Sequence, residues 1–361
     1  MTRKLLVLNG FAVLGVAIHH AAAYGLQALF DWAHAYRDVV SPNYDMLGSP
    51  EYWYLMGARL LVGSYAIPAF LIVSGFFAAF ASDKEGKMPW EAVWSRVQKF
   101  IWPFIIWTVL FIVMRQMRPQ QITFGFLMRT YYYIPLIIQL YILSPLIGPF
   151  VKNNWKIALL ITAVIQLTVQ AFGYLLLLGI ESDLLRLLND ATPRFVFTSR
   201  IFYFTLGMAM GYHRKLFSNW IKERRFWLLG ALVSFGILSI VEYQMVDNFI
   251  GDRWLGPNFI GIFRTFYAVT FSLTFLGFEK FKWPYEKQLN QLGTMSLGVY
   301  LANTPVIYVI SSLMFHFIPW SLGIQLIYQP VLILTGLLFP VLMMNIVSKS
   351  PVRRYYQVVF G

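Results

Sequence analysis

The chain has 361 residues, of which 58% are hydrophobic and 12% are charged. Soluble globular proteins carry about 25% charged residues, so this composition predicts an integral membrane protein. Cysteine is absent, which excludes disulfides and thiolate chemistry, and the five histidines show no metal-ligand spacing, so we expect no protein-bound metal. The net charge of +13 would suit nucleic acid, but its distribution along the chain argues against that partner.

Ten apolar segments follow one another along the chain. They fall at about 5–30, 58–81, 100–115, 131–151, 155–180, 198–213, 226–242, 256–278, 293–316 and 323–347. The first is too long for a signal-peptide core and has no small-residue cleavage site after it, so we expect it to be retained. The pattern predicts an all-α, polytopic integral membrane protein with about ten transmembrane helices in a single domain over residues 1–361.

Basic residues concentrate on one side of the predicted membrane. The N-terminus and the segments after even-numbered spans hold 19 of the 29 basic residues and six of the 16 acidic residues. This side therefore carries the whole net charge of +13, and the positive-inside rule places both termini in the cytoplasm of what we expect to be a bacterial plasma membrane. Attraction to anionic lipids explains such a face, and docking of a polyanionic coenzyme is a second, compatible explanation.

The first span carries two adjacent histidines inside its apolar run. An ionisable side chain in a membrane-spanning helix is costly, so it is a functional hypothesis by default. At about 100° per residue, Asn9 and His20 lie on one stripe, roughly 16 Å apart along the axis, whereas His19 points elsewhere. Imidazole titrates near neutral pH and is a natural general base. We therefore predict that His20 is catalytic, and a histidine that only hydrogen-bonds within the bundle is the alternative.

Polar groups also mark the next spans. The second contains IPAFLIVSGF at 67–76, in which a Ser-Gly pair permits close helix approach. The third opens with Arg96 and Lys99 one turn apart at the cytoplasmic entrance, where they either snorkel to the interface or hold phosphates. Arg200, near the outer end of the sixth span, is either an interfacial anchor or a donor to a developing oxyanion.

These stretches together resemble the acyltransferase-3 membrane family, especially the branch that contains the O-acetyltransferase of enterobacterial common antigen and the proteins that modify intercellular-adhesion polysaccharide. Gly10 and His20 match the ten-residue spacing of a glycine and a histidine in that branch's first helix. Segments 67–76 and 99–107 are similar to the patterns of its second and third helices. YILSP at 141–145, RIFYFTLG at 200–207 and SLGVYLANTP at 296–305 resemble later family patterns in the same order.

The resemblance implies an O-acyltransferase that moves an acyl group, usually acetyl from acetyl-CoA, to a hydroxyl of an extracytoplasmic cell-envelope glycan or lipid-linked sugar. The first-helix histidine, His20, would be the essential residue. As donor-binding candidates we take Asn9, Arg96 and Lys99. As candidates for the oxyanion or acceptor site we take Arg200, Ser74, Asn303 and Tyr300. The expected partners are membrane lipids and the carbohydrate acceptor, and the sequence leaves open a homo-oligomer or an envelope-synthesis complex.

Three positions depart from the family pattern. Asn9 stands where the family has arginine, Thr130 falls near where the branch often has histidine, and Asn303 replaces a late histidine. Asparagine cannot neutralise a phosphate, so an unusual acyl donor is one reading, and a catalytically silent partner in envelope synthesis is another. A transporter that exports glycan precursors is the main alternative to an acyltransferase, although the halves of the chain show no convincing repeat of the kind common in transporters.

Overall fold

A computed structural model of the chain describes residues 2–251, 255–256, 259 and 261–361, without the side chains of residues 2 and 3. All regular secondary structure in these residues is helical. The first half contains α1 (Thr2–Phe30), α2 (Pro50–Gly57), a π-helical turn (Ala58–Val62), α3 (Ala66–Phe80), α4 (Trp90–Met114), α5 (Phe124–Thr130), α6 (Tyr133–Asn153), α7 (Trp155–Leu177) and α8 (Asp183–Ala191). The second half contains α9 (Ile201–Tyr212), α10 (Arg214–Glu223), α11 (Arg225–Ile250), α12 (Ile262–Gly277), α13 (Glu286–Thr294), α14 (Ser296–Phe317), α15 (Gln325–Lys349) and α16 (Tyr356–Phe360).

Eight helical segments in the described residues are long and apolar enough to cross a membrane, when α2, the π-helical turn and α3 are taken as one. Helices α9 and α12 are also apolar but shorter. These ten helices coincide with the ten apolar segments of the sequence, so the expected all-helical, polytopic architecture is confirmed. The number of crossings and their orientation stay predictions.

Several helices extend beyond the apolar segments that predicted them. The second span begins at Pro50 rather than at about 58, because the Ser49 hydroxyl accepts a hydrogen bond from the Tyr52 backbone N–H (3.2 Å) and caps the helix there. The third begins at Trp90 rather than at about 100, and the seventh continues to Ile250 rather than to 242. Hydropathy locates the part of a helix that lies in lipid, whereas caps and hydrogen bonds set its ends.

One predicted segment falls partly outside the described residues. The sequence predicts an eighth span over 256–278, and residues 257, 258 and 260 are not described. The helix found there, α12, begins at Ile262, where the Glu242 carboxylate accepts hydrogen bonds from the backbone N–H groups of Ile262 (2.8 Å) and Phe263 (3.1 Å). A buried carboxylate on α11 therefore stabilises the N-terminus of α12.

Helix α1 lies at the centre of the bundle. It packs against α2, α3, α13, α14 and α15, and most of its apolar length is buried. By contrast, few residues of α7 are fully buried, as expected of a helix that faces lipid. The polar groups of α1 consequently face other helices and internal cavities.

Helices α3 and α9 pack with their backbones in direct contact. A Cβ atom added at Gly75 would lie 2.0 Å from the Phe204 carbonyl oxygen, and one added at Gly207 would lie 2.0 Å from the Ile72 carbonyl oxygen. Small residues permit this approach, which is a common way for helices to associate in lipid. The close contact expected from the Ser-Gly pair of the second span is thus present and fixes one wall of the bundle.

The N-terminal half of α1 is held by α13. A Cβ atom added at Gly10 would lie 2.1 Å from the Leu289 carbonyl oxygen, so the glycine of the Gly10–His20 spacing serves helix packing. Lys4 Nζ lies 3.0 Å from a carboxylate oxygen of Glu286, and both side chains are largely buried. These contacts fix the position of α1 along its own axis, and so also the position of its histidines.

A proline in α14 alters the backbone beside α1. Pro305 has no N–H group for the Leu301 carbonyl, and the Tyr131 hydroxyl donates a hydrogen bond to that carbonyl instead (3.1 Å). Asn303 and Thr304 lie within this altered turn, and both approach His20. The residue replacement noted in the sequence therefore falls directly against the predicted catalytic residue.

Candidate active site

His20 lies in the C-terminal half of α1, with its imidazole against α14. Its Nδ1 atom is 2.8 Å from the Asn303 Oδ1 atom and 3.2 Å from the Thr304 hydroxyl. Asn303 is fully buried, and its Nδ2 group donates a hydrogen bond to the Gly336 carbonyl (2.8 Å). Two helices, α14 and α15, thereby fix the orientation of the asparagine that contacts His20.

The contacts of Asn303 determine the tautomer of His20. Because Nδ2 must face the Gly336 carbonyl, the amide oxygen faces His20 and can only accept a hydrogen bond. His20 Nδ1 therefore carries the proton, and Nε2 keeps a lone pair. No hydrogen-bond partner for Nε2 is found among the described residues. A base whose far nitrogen is held by a buried amide has the geometry expected of general-base catalysis.

His20 lines a cavity of about 130 Å³ between α1, the segment that joins the π-helical turn to α3, α3 itself, the end of α5, α9, α12 and α14. The cavity wall includes the other member of the histidine pair and three arginines. The complete lining is Val16, His19, His20, Gly63, Ser64, Ala66, Ile67, Pro68, Thr130, Tyr132, Arg194, Arg200, Tyr203, Arg264, Thr265 and Tyr300. No carboxylate belongs to this set of described residues. The cavity is consequently polar and positively charged.

His19 lies in the same wall as His20, although the helical angle separates the two side chains. Their ring centroids are 5.9 Å apart, and both rings line the cavity. His19 points to a different face of α1 from His20, as expected, but the cavity extends around both faces, so His19 lines it as well. Gly63 makes room for the ring, since a Cβ atom there would lie 2.2 Å from His19 Nδ1. That nitrogen is buried without a hydrogen-bond partner in the described residues, so His19 lacks the orienting contact that His20 has.

The π-helical turn carries an arginine toward α1. Arg59 is buried, and its Nη1 atom lies 3.4 Å from the His19 carbonyl oxygen. Its own carbonyl accepts a hydrogen bond from Arg264 Nη2 (3.0 Å). Helical bulges of this kind leave carbonyls for other donors and recur at functional sites. Arg59 and Arg264 together tie the turn to α1 and α12 beside the cavity.

A second, smaller cleft lies beside the cavity, toward the N-terminal end of α1. It has a volume of about 100 Å³ and is lined by Asn9, Phe70, Ser74, Phe100, Tyr133, Ser296, Leu297 and Tyr300. Tyr300 also lines the His20 cavity, so the two spaces adjoin at its ring. The Asn9 side-chain oxygen is buried without a hydrogen-bond partner in the described residues. We call this space the inner cleft.

Arg96 and Lys99 lie on the same side of the molecule as the inner cleft but do not line it. The Arg96 guanidinium lies over the Tyr141 ring, 5.7 Å from its centroid, and Lys99 is exposed. The cleft itself approaches α4 through Phe100. The two basic residues thus lie near the inner cleft rather than within it.

A larger depression opens on the opposite side of the cavity. It has a volume of about 550 Å³ and is lined by residues of α5, α7 and α8, by the segments that follow α5 and α8, and by Phe259. Tyr132, Arg194 and Arg200 line both this depression and the His20 cavity. We call it the outer vestibule, because the distribution of basic residues predicts that this side is extracytoplasmic. Inner cleft, cavity and vestibule form three adjoining spaces, with His20 in the middle one.

The structure separates the predicted site residues into groups. His20, Arg200 and Tyr300 line the cavity, Asn9, Ser74 and Tyr300 line the inner cleft, and Asn303 lies behind His20. Arg194 and Arg264, which also line the cavity, were not assigned to the site from the sequence, and neither was Arg59 beside it. The sequence did contain a signal for these three arginines, because each lies within or next to an apolar segment, where a charged side chain is costly.

Comparison with known proteins identifies one family. A family model for an acyltransferase domain, that of the acyltransferase-3 family, matches residues 5–345. No curated protein and no solved structure matches the chain. The matched range begins within α1 and extends nearly to the end of α15, so it includes the cavity, the inner cleft and the vestibule.

Proposed function

Because the chain belongs to the acyltransferase-3 family and is a membrane acyltransferase, we propose that it transfers an acyl group from a cytoplasmic acyl-CoA to an extracytoplasmic hydroxyl. The acceptor is a cell-envelope glycan or a lipid-linked sugar, and His20 is the general base. The observation that carries the proposal is the hydrogen bond between His20 Nδ1 and Asn303, which leaves Nε2 able to take a proton within a cavity. This cavity adjoins one space on each side, as a reaction between a cytoplasmic donor and an external acceptor requires.

The donor enters from the cytoplasmic side in this proposal. Arg96 and Lys99 attract the coenzyme phosphates at the mouth, and the thioester end extends through the inner cleft toward Tyr300. Asn9 and Ser74 offer hydrogen bonds to the amides of the pantetheine arm. The unpaired Asn9 oxygen supports this role, since a buried polar atom without a partner in the described residues is a natural contact for a ligand. Acetyl-CoA is the donor that we propose.

The chemical step proceeds by general-base catalysis. His20 Nε2 takes the proton of the acceptor hydroxyl as its oxygen attacks the thioester carbonyl, which forms a new C–O bond and a tetrahedral oxyanion. Tyr300, which lines both the cavity and the inner cleft, donates a hydrogen bond to that oxyanion. The C–S bond then breaks, and the proton on His20 passes to the thiolate. The products are the acylated acceptor and the free thiol of CoA.

The experiment that tests this function measures the thermal stability of the detergent-purified protein with and without acetyl-CoA. A ligand that binds only the folded state raises the melting temperature. We expect wild type to be stabilised and the Arg96→Ala/Lys99→Ala variant to be stabilised less. The matched control, Arg214→Ala/Lys215→Ala, removes two exposed charges from α10 and should keep the full shift.

An exporter of glycan precursors would respond differently. It has no reason to bind acetyl-CoA, so the absence of a shift with folded protein would contradict the acyltransferase proposal. A shift of equal size in wild type and in Arg96→Ala/Lys99→Ala would still support acetyl-CoA as the donor. It would show, however, that Arg96 and Lys99 do not bind it.

A further inference from the structure

The His20 cavity contains more positive charge than acyl transfer by a general base requires. Arg194, Arg200 and Arg264 line it, and Arg59 lies beside it. Arg264 interacts electrostatically with both Arg194 and Arg200, so these charges are close enough to repel each other. Gathering like charges in a buried space is unfavourable unless an opposite charge joins them.

Arg264 is held by neutral oxygen atoms. Its Nε donates to the Ser64 hydroxyl (2.5 Å), Nη1 donates to the Phe259 carbonyl, and Nη2 donates to the Arg59 carbonyl (3.0 Å). The nearby Glu242 carboxylate accepts from two backbone N–H groups at the start of α12. These contacts orient the Arg264 guanidinium against the cavity wall. Glu242 lies close enough to attract it electrostatically, but no direct ion pair joins the two side chains in the described residues.

Arg200 is nine-tenths buried, and part of its guanidinium is unpaired. Its Nε atom is buried with no hydrogen-bond partner in the described residues, and the guanidinium lies over the Tyr132 ring at 5.5 Å from the centroid. Arg200 lines both the cavity and the outer vestibule. A buried arginine that combines an unused donor with a stacked aromatic ring is typical of an oxyanion-binding site.

The arginines lie on the acceptor side of His20. The inner cleft contains no arginine and no lysine among its described lining residues. The outer vestibule, in contrast, contains Arg129, Arg194 and Arg200, with Asp190 as its one acidic residue in the described lining. A negative group that enters from the vestibule reaches Arg200 before it reaches His20. The charge is therefore placed to bind the acceptor rather than the coenzyme phosphates.

We propose that the acceptor carries an oxyanion, a phosphate or a carboxylate, close to the hydroxyl that is acylated, and that Arg200 and Arg264 bind this group. This inference rests on the proposed function, since it assumes that His20 acts on a hydroxyl in the cavity. An arginine fork binds either group through paired hydrogen bonds and so fixes the orientation of the sugar. Neutral sugars lack that contact, so the cavity selects acidic or phosphorylated acceptors and directs one hydroxyl toward His20 Nε2.

The test measures stabilisation of purified protein by D-glucuronate, D-glucose 6-phosphate and D-glucose, at ionic strength matched with sodium chloride. We expect the two charged sugars to raise the melting temperature more than glucose does. Arg200→Gln should weaken binding of the charged sugars roughly 10- to 100-fold, the effect of losing a hydrogen bond between charged groups. Arg200→Lys should restore part of it. The matched control is Arg186→Gln, which removes an exposed arginine on α8 that pairs with Glu181.

Acetyl-CoA is included in every series so that a failure of the acceptor proposal can be distinguished from a failure of the acyltransferase proposal. The proposal of an anionic acceptor would be overturned if charged and neutral sugars raised the melting temperature equally, or if neither raised it. Unchanged binding of charged sugars in Arg200→Gln would overturn it as well. A retained acetyl-CoA shift in either case would leave the acyltransferase proposal in place. A preference for succinyl-CoA over acetyl-CoA that Arg200→Gln abolishes would assign the anion to the acyl group and would also overturn the proposal.

Discussion

The protein carries positive charge in two regions that differ in burial and in chemistry. The face predicted to be cytoplasmic has basic side chains such as Lys99, Arg214 and Lys215, all of them exposed. The cavity wall has Arg200 and Arg264, which are enclosed by helices and hold specific contacts. Only the buried arginines of the cavity constrain what the protein binds, because water solvates the exposed charges and salt ions screen them.

The energetic difference between the two regions explains this contrast. An exposed ion pair contributes about 0–1 kcal/mol, and salt screens it over roughly 10 Å. A buried charge without compensation costs several kcal/mol, so it persists where a ligand or a hydrogen-bond network offsets that cost. In our proposal the exposed charges set the orientation in the membrane, and the charges in the cavity select the acceptor. The following predictions separate these roles.

The largest effect should follow from removal of the base. His20→Ala should lower acyl transfer about 10²- to 10⁴-fold, because proton transfer by a positioned side chain contributes that much. The measurement is acyl incorporation by membranes that contain equal amounts of folded protein. His19→Ala is the matched control and should lose less than His20→Ala, since no described residue orients its ring. Equal losses in both variants would contradict the assignment of the base to His20.

Asn303 is a positioning residue, and its effect should be the next largest. Asn303→Ala should lower kcat roughly 10- to 100-fold with little change in the KM for the acyl donor, because His20 loses the acceptor that fixes its tautomer. Asn303→Asp keeps an oxygen acceptor opposite Nδ1 and should recover part of the rate. A rise in KM alone, or no recovery with Asp, would indicate a purely structural role.

Arg200→Gln should lower the rate at least about 10-fold at subsaturating acceptor, through loss of a contact between charged groups. Because Arg200 is buried, this loss should persist when ionic strength is raised. Rates are to be compared in low-salt and high-salt buffer against Arg186→Gln. If the loss of rate in Arg200→Gln disappeared in high salt, Arg200 would behave like the exposed surface charges. The contrast between the two regions would then not hold.

The smallest effect should come from the two basic residues near the inner cleft. Arg96→Ala/Lys99→Ala should raise the KM for acetyl-CoA only a few-fold, because Lys99 is exposed, Arg96 is only half-buried, and charges open to solvent contribute little. High salt should diminish the difference from wild type. A loss as large and as salt-resistant as that of Arg200→Gln would show that the donor phosphates bind in an enclosed site.

Much of the fold could be predicted from the sequence, because membrane burial imposes long apolar runs. All ten apolar helices lie where hydropathy places them, and the errors concern ends such as Pro50 and Trp90 that depend on caps and polar first turns. His20 was also recognisable, since an ionisable side chain within such a run needs a reason to be there. These signals are local in the chain.

The remainder of the site could not be predicted because it depends on distant contacts. His20 and Asn303 are 283 positions apart, so the sequence showed only that a family histidine had been replaced by asparagine. The structure gives that asparagine a specific contact with the base. Arg59 and Arg264 likewise meet only when the π-helical turn packs against α12. Their position in or near apolar segments signalled importance but not a shared cavity.

The central claim is that His20 catalyses acyl transfer from a cytoplasmic donor to an acceptor on the other side of the membrane. The most direct measurement supplies radiolabelled acetyl-CoA to inverted membrane vesicles from cells that produce the protein, so that the cytoplasmic face meets the donor. Base-labile label should then appear in envelope material inside the vesicles with wild type and should be absent with His20→Ala. Equal incorporation by wild type and His20→Ala would contradict the account.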